Sequence, residues 1–282
     1  MTETLLGDDR IRAIFHELIL PSYPVEPSDS PTLYMVGAQP GAGKTRAIQR
    51  ICKSHPGVVE VNGDDLRVYH PDYSRILDEA PLRMPELTSQ ASSAWVRMSL
   101  EHLRDRRVSV VVETTFAHPK ANMDTLRSFH QAGYHAILVF VAVPAPVSLL
   151  GILERYVQQL RDYGIGRWSD PAYHDQVAQQ IPDTLECLIA SGLLDEVKVV
   201  DRSGADVAHK HLNPTDATRN ATELRRLAES KLAAGSITEE QRELGKQSLT
   251  DIAQYLTTLE HPDHNVVDLT RRAETLFLNV RN

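Results

Sequence analysis

The chain has 282 residues, enough for one large domain or one domain with a small addition. Its 41% hydrophobic and 24% charged content is ordinary for a globular protein, and 30 basic against 38 acidic residues give a formal net charge of −8. That acidic balance argues against broad nucleic-acid binding, which needs a basic face, and no apolar run reaches the ~20 residues that a membrane span needs.

In chain order, Met1–Arg10 is polar and acidic, unlike a signal peptide, so the expected location is cytoplasmic. Residues 8–20 predict a helix with Ile11, Ile14, Phe15, Leu18 and Ile19 on one face. Four prolines between Pro21 and Pro31 mark a loop. Thr32–Gly37 reads as a buried strand, followed by a glycine-rich turn, a helix over about 44–54 and a strand at 58–62. A long amphipathic helix is expected within 82–106, then an almost all-valine strand at 108–112, as when both sheet faces are covered. A helix over 119–132, a strand over 135–143 and a helix over 146–161 follow. Asp170 and Pro171 read as N-cap and N1 of a helix running to Ser191, kinked near Pro182. Val197–Val200 is a fifth strand. Cys52 and Cys187 lie in apolar helical patterns without metal spacing and read as buried small hydrophobes.

Strands alternating with helices predict an α/β fold, a parallel sheet with helices on both faces. After residue 211 only helical patterns remain, over about 215–234, 237–260 and 266–280, with Ser236 and Glu239 as a capping box for the second. The expected organisation is therefore a catalytic unit over 1–212, including the 8–20 helix, and a helical C-terminal appendage over 213–282.

Residues 38–45 read AQPGAGKT, a G-x-x-x-x-G-K-[ST] phosphate loop of the P-loop NTPase type with Ala38 in place of the first glycine. Gln39, Pro40, Gly41, Ala42, Gly43, Lys44, Thr45 and Arg46 are the expected ATP-binding residues. Gly41 and Gly43 let successive N–H groups point at phosphate, Lys44 supplies charge, and Thr45 is placed to ligate Mg²⁺. Phosphoryl transfer needs, besides this cradle, a group for the acceptor hydroxyl and cations for the transferring charge. Asp64 or Asp65 follows the second strand, at the end where parallel sheets present ligands. Glu113 ends the third strand, followed by Thr114 and Thr115. Arg155 lies on the fourth predicted helix and Arg167 in the loop beyond. His70, His118 and His174 are scattered and suggest no metal site.

Taken together, GAQPGAGKT, NGDDLRVYHPDY, VVVETTF, AVPAPVSLLGILERY, GRWSDPAYHD and QQIPDTLECLIASGLLDEV, in that order, resemble the zeta toxin family of bacterial kinases over about residues 8–212. The resemblance implies ATP-dependent 3′-phosphorylation of UDP-N-acetylglucosamine or a related UDP-sugar, with Mg²⁺, as a toxic activity. It implies ATP and Mg²⁺ binding by Lys44 and Thr45, and Asp64 rather than Asp65 as base, because Asp64 keeps the distance to His70-Pro71. It also implies Glu113 and Thr115 as sugar contacts and Arg155 and Arg167 as γ-phosphate clamps. Thr114 and Phe116-Ala117-His118 depart from a family pattern of glycine and basic residues, in a loop expected to line the sugar pocket. The toxins' partners are separate three-helix antitoxins; helices 213–282 raise the alternative of restraint within the chain.

Overall fold

Runs of β-branched residues set the centre of the molecule. The computed structural model describes residues 5–23 and 26–278. In it β1 (Thr32–Gly37), β2 (Val59–Val61), β3 (Val110–Thr114), β4 (His135–Val141) and β5 (Glu196–Val200) pair in parallel, and β6 (Asp206–His211) closes one edge antiparallel. The strand order β2-β3-β1-β4-β5-β6 puts β1 at the centre, between strands that cross to opposite sides. The crevice beyond its carboxyl end is therefore the topological switch point of the sheet, where open α/β folds bind ligands.

Eleven α-helices are present among the described residues: α1 (Asp8–Ile14), α2 (Lys44–Ser54), α3 (Tyr73–Glu79), α4 (Met84–Leu87), α5 (Ser89–Asp105), α6 (Pro119–Gln131), α7 (Ala145–Tyr163), α8 (Pro171–Ala190), α9 (Ala217–Leu232), α10 (Glu239–Leu256) and α11 (His264–Leu278). The period-2 alternation of β1 divides the core between the two faces. Leu33 and Met35 join Leu126, Ile181 and Leu185 of α6 and α8 on one side, together with Ala221, Leu224, Ala228 and Leu232 of α9. Tyr34 and Val36 join Ile48 of α2 and Leu149, Ile152 and Leu153 of α7 on the other, where Leu249, Ile252, Val266, Leu269 and Phe277 of α10 and α11 complete the layer. The helices after residue 212 thus supply buried side chains to both layers. A third cluster packs Ile11, Ile14, Phe15 and Ile19 against Leu66, Ala91 and Trp95, with Trp95 Nε1 donating to Ile11 O at 3.0 Å. This cluster holds the turn after β2 in place.

Several local expectations are corrected. Leu18 is 53% exposed, because α1 continues into a π-helical turn over Phe15–Ile19 that rotates it outward. The long helix expected within 82–106 is α5, and it begins only after a break at Thr88, whose hydroxyl donates to Met84 O at 2.7 Å and accepts Arg67 Nη1 at 2.7 Å. The third strand starts two residues later than expected and takes in Glu113. β6 was not expected, since its mostly exposed sequence DVAHKH has no apolar face to announce it. The capping box of α10 is Thr238 with Gln241, not Ser236 with Glu239. Cys187 is exposed and Cys52 half-buried, so neither is the buried hydrophobe expected. Residues 1–4, 24–25 and 279–280 of the expected terminal, loop and helical segments lie outside the described residues.

Candidate active site

The phosphate loop leaves β1 at the switch point. Gly41 and Gly43 have φ of +78° and +93°, in the left-handed region that costs glycine least. A Cβ on Gly41 would lie 2.0 Å from Ser148 O, so the first turn of α7 presses on this loop and no larger residue fits. Alternating backbone of this kind points N–H groups into a concave anion nest, and α2 adds its positive end. Lys44 is buried; its Nζ donates to Ala38 O at 3.1 Å and Gln39 O at 3.3 Å and lies 3.6 Å from Glu113 Oε1. The pairing of β1 with β3, Val36 opposite Glu113, brings that carboxylate to the loop. Burial pushes the Lys44 pKa down, against the pull of Glu113. Thr45 and Arg46 are exposed at the start of α2.

Asp64 follows β2 in a turn where its N–H donates to Asn62 Oδ1 at 3.0 Å. Arg67 Nε donates to its carboxylate at 2.9 Å, and Arg167 forms a second ion pair with it. Burial alone would raise the Asp64 pKa, but Arg167 and then Arg67 outweigh it and hold the group below the usual carboxylate range. Asp65 is exposed and makes neither contact. Arg67 is itself anchored at Pro85 O and Thr88 Oγ1, both at 2.7 Å, which explains why the helix breaks there.

Arg155 lies on α7, half-buried, with Nη2 donating to Ser169 Oγ at 2.7 Å and Nε buried without a partner. Burial, and then the neighbouring Arg167, push its pKa down to about 10, with Asp64 and Glu113 opposing. A guanidinium so placed is short of negative charge, which an incoming anion would supply. Arg167 is steadied through its backbone, whose N–H donates to Gln159 Oε1 at 2.7 Å. Trp168 packs edge-on to Tyr156 at 5.3 Å beside it, so the loop is pinned on both sides of Arg167.

Lys44, Asp64, Glu113, Arg155 and Arg167 thus lie within electrostatic reach of one another around one crevice. Thr115 Oγ1 is 3.1 Å from Tyr173 Oη, at the edge of α8. Thr114 turns the other way, to Asn122 Oδ1 at 2.9 Å. Phe116, with φ of +59°, is fully buried against Gly37, where a Cβ would be 2.1 Å from its ring. Such strain in a bulky residue persists only where the surroundings impose it.

The cradle passes a test for a triphosphate with Mg²⁺. It has a nest of two positive-φ glycines, a buried lysine charge, a buried guanidinium N–H without a partner, and an exposed Thr45 hydroxyl beside the loop.

Two features went unread in the sequence. Gln39, expected to bind nucleotide, turns its side chain inward: Nε2 donates to Val143 O at 2.8 Å and Ser148 Oγ at 2.9 Å, which leaves its backbone N–H for a ligand. Ser148 Oγ is 2.8 Å from His174 Nε2, His174 Nδ1 is 3.1 Å from Asp175, and Arg272 of α11 reaches Asp175 at 2.7 Å. Burial lowers the His174 pKa against the opposing Asp175, so the ring serves as a neutral link. The adjacent His and Asp of GRWSDPAYHD were the only clue. Arg202, just past β5, lies over Gly43, 3.1 Å from where its Cβ would be, and pairs with Glu154 at 2.7 Å; Glu154 also accepts Ser248 Oγ of α10 at 3.0 Å.

This geometry has relatives. The curated protein Toxin zeta of Streptococcus agalactiae is 25% identical over 197 residues, 69% of each chain. Toxin zeta of Streptococcus pyogenes is 25% identical over 218 residues, 77% of this chain and 75% of that one. Among solved structures, that of the PezAT chromosomal toxin–antitoxin system of Streptococcus pneumoniae superposes with a TM-score of 0.74 at 19% identity, over 90% of this chain and 100% of that one. An overlay that long extends past residue 212, so the fold likeness takes in part of the C-terminal helices. AvrRxo1-ORF1:-ORF2, solved with ATP, superposes with a TM-score of 0.52 at 16% identity, over 95% of this chain and 87% of that one. The sequence pattern of the family described as Zeta toxin matches residues 19–213, from the end of the first helical segment through the phosphate loop, the Asp64 turn and β6, and the chain therefore belongs to the zeta toxin family.

Proposed function

We propose that this chain is an ATP-dependent kinase that phosphorylates the sugar 3′-hydroxyl of UDP-N-acetylglucosamine or a related UDP-sugar, acting as a toxin in the bacterial cytoplasm. The observation that carries the reading is the meeting of Lys44, Arg155 and Arg167 with Asp64 and Glu113 at the carboxyl ends of β1, β2 and β3. A pure nucleotide-binding module has no use for an acceptor carboxylate facing the phosphate cradle. ATP is supported by that cradle and by the neighbour of this fold solved with ATP.

ATP with Mg²⁺ supplies the transferable phosphoryl group and neutralises part of its charge. The chain's own residues do the rest. N–H groups of the loop from Gln39 to Thr45, all but that of Pro40, which has none, would hold phosphate oxygens, and the Thr45 hydroxyl would hold the metal. Lys44, whose charged form burial disfavours, would gain from an anion beside Glu113. Arg155 and Arg167 stabilise charge developing on the transferred group. Asp64 is held ionised by Arg67 and Arg167, which suits accepting a hydrogen bond from the acceptor hydroxyl. Its lowered pKa makes it a weak base, so the carboxylate takes the acceptor hydroxyl's proton late, as a loose transition state allows. Glu113 and Thr115 border the acceptor side.

The test is incubation with ATP, Mg²⁺ and UDP-N-acetylglucosamine, read by mass spectrometry. A product heavier by one phosphate, absent with Asp64→Asn, is expected. Transfer only to other acceptors refutes the sugar assignment and leaves a kinase. Binding without transfer refutes the kinase. The alternative acceptor is a dinucleotide or an antibiotic, because Thr114 and Phe116-Ala117-His118 depart from the family's pattern in the loop expected to line the sugar pocket.

A separate helical antitoxin is the proposed partner. For the helices after residue 212 we favour support of the fold over restraint, because they supply buried side chains to both core layers.

A further inference from the structure

Far from the crevice, three neighbouring strands bring four metal-binding side chains to one face. His135 and Glu196 begin β4 and β5, at the end of the sheet opposite the phosphate loop. Strand register places Ile137 beside Glu196 and Glu196 beside His211. The period-2 alternation then puts His135, Glu196, His209 and His211 on the same face. Glu196 Oε2 is 2.7 Å from His209 Nε2, and Glu196 Oε1 is 2.8 Å from His135 Nε2 and 3.7 Å from His211 Nδ1. One ligand atom each from Glu196, His209 and His211 lies within 4.8 Å of the others.

We propose that Glu196, His209 and His211 form a site for a divalent transition metal of the zinc class, with His135 holding the Glu196 carboxylate as an outer partner. Zinc takes imidazole nitrogen and carboxylate oxygen at about 2.0–2.2 Å in a tetrahedron, which requires neighbouring ligand atoms roughly 3.3 Å apart. Glu196 reaches His209 through Oε2 at 2.7 Å and His211 through Oε1 at 3.7 Å, and one ligand atom from each of the three lies within 4.8 Å of the others, so the carboxylate and the rings must rotate to bring one oxygen and two nitrogens to that spacing. Hard cations that prefer all-oxygen ligands do not match a site with two imidazoles and one carboxylate. Backbone pairing fixes the frame, because Glu196 and His211 are direct partners in the β5–β6 ladder. The other nearby acid, Asp195, is occupied: its Oδ2 accepts the Ala136 N–H at 2.7 Å.

The site would have structural work to do. β6 is mostly exposed, contributes no residue to the core, and leads directly to α9, which does. A metal bridging β5 and β6 would clip this edge strand to the sheet by side chains where it lacks an apolar face.

The experiment uses the full chain without a histidine tag, stripped with chelator, titrated with Zn²⁺ by calorimetry and with Co²⁺ by visible absorption. One equivalent of Zn²⁺, a tetrahedral Co²⁺ spectrum and a raised melting temperature are expected. His209→Ala and His211→Ala should each weaken binding by more than the roughly 10–100-fold typical of losing an outer partner; His135→Ala should fall within that range. Both β6 histidines are exposed, so metal-free melting should not change. Glu196→Gln keeps the shape and should lose the site as well. Phosphotransfer by metal-stripped variants should match metal-stripped wild type, as none of these residues lines the crevice. Absence of a tetrahedral Co²⁺ spectrum, or stoichiometric Zn²⁺ binding that persists in the His209→Ala/His211→Ala double variant, overturns the proposal.

Discussion

Arg155→Met separates a residue kept for chemistry from one kept for folding. The guanidinium pKa falls from its ordinary value to about 10, through burial first and the adjacent Arg167 second. At roughly 1.36 kcal/mol per unit, the folded chain holds this charge at a cost of about 3 kcal/mol at most. Against this stands the hydrogen bond to Ser169 Oγ at 2.7 Å, a charge-assisted contact worth about 1.5–3 kcal/mol. Methionine keeps the apolar stem and removes the charge, so urea unfolding without nucleotide should show stability unchanged or raised by about 1 kcal/mol. An average substitution instead costs about 1 kcal/mol. For a cation with a lowered folded pKa, the penalty is fully present below about 10 and fades as pH rises above it toward the ordinary guanidinium value. The difference between variant and wild type should therefore be flat from pH 7 to 9. Transfer, in contrast, should fall by about 10³-fold, the lower end for losing a charge-stabilising arginine, and the thermal shift produced by ATP should shrink. A loss of more than about 2 kcal/mol in unliganded stability would refute the reasoning, because Arg155 would then be part of the scaffold.

The other predictions use the same logic. Gly41→Ala should abolish nucleotide binding, read by calorimetry, since its Cβ meets Ser148 O at 2.0 Å with φ at +78°; wild-type affinity would refute the packing argument. Ser148→Ala leaves the Gln39 amide and His174 short of a partner and should cost about 1–3 kcal/mol with a raised KM for ATP. Arg272→Ala, breaking only an exposed ion pair at the end of that chain, should cost under about 1 kcal/mol. Leu269→Ala, in the buried layer shared with α7, should lower the single unfolding transition by about 2–5 kcal/mol; an unchanged main transition would mean α11 folds apart from the rest. Asp64 has a lowered folded pKa, so it contributes stability above the unfolded value of about 3.9 and loses it as pH falls through the folded one. The stability difference between wild type and Asp64→Asn should therefore narrow below about pH 4 in a series of urea titrations.

Much was legible in the one-dimensional pattern because it depends on local chemistry. The valine run of β3, the glycines and lysine of residues 37–45, and the Asp170–Pro171 helix start each carry their own physical reason, and the alternation of strands and helices sets the layered fold. Tertiary structure decided which groups meet. Glu113 lies by Lys44 only because β3 pairs beside β1, and Asp64 faces Arg167 because the cluster around Trp95 fixes its turn while Trp168 pins the opposite loop. The inward turn of Gln39, the approach of Arg202 to Gly43 and the burial of Leu269 and Phe277 against α7 depend on contacts between residues more than a hundred positions apart. Periodicity announces that a side chain will be buried; it carries no term for which neighbour buries it. The edge strand β6 escaped for the converse reason: backbone pairing with β5 makes it a strand, and hydrogen bonds to a neighbouring strand leave no mark on an exposed sequence.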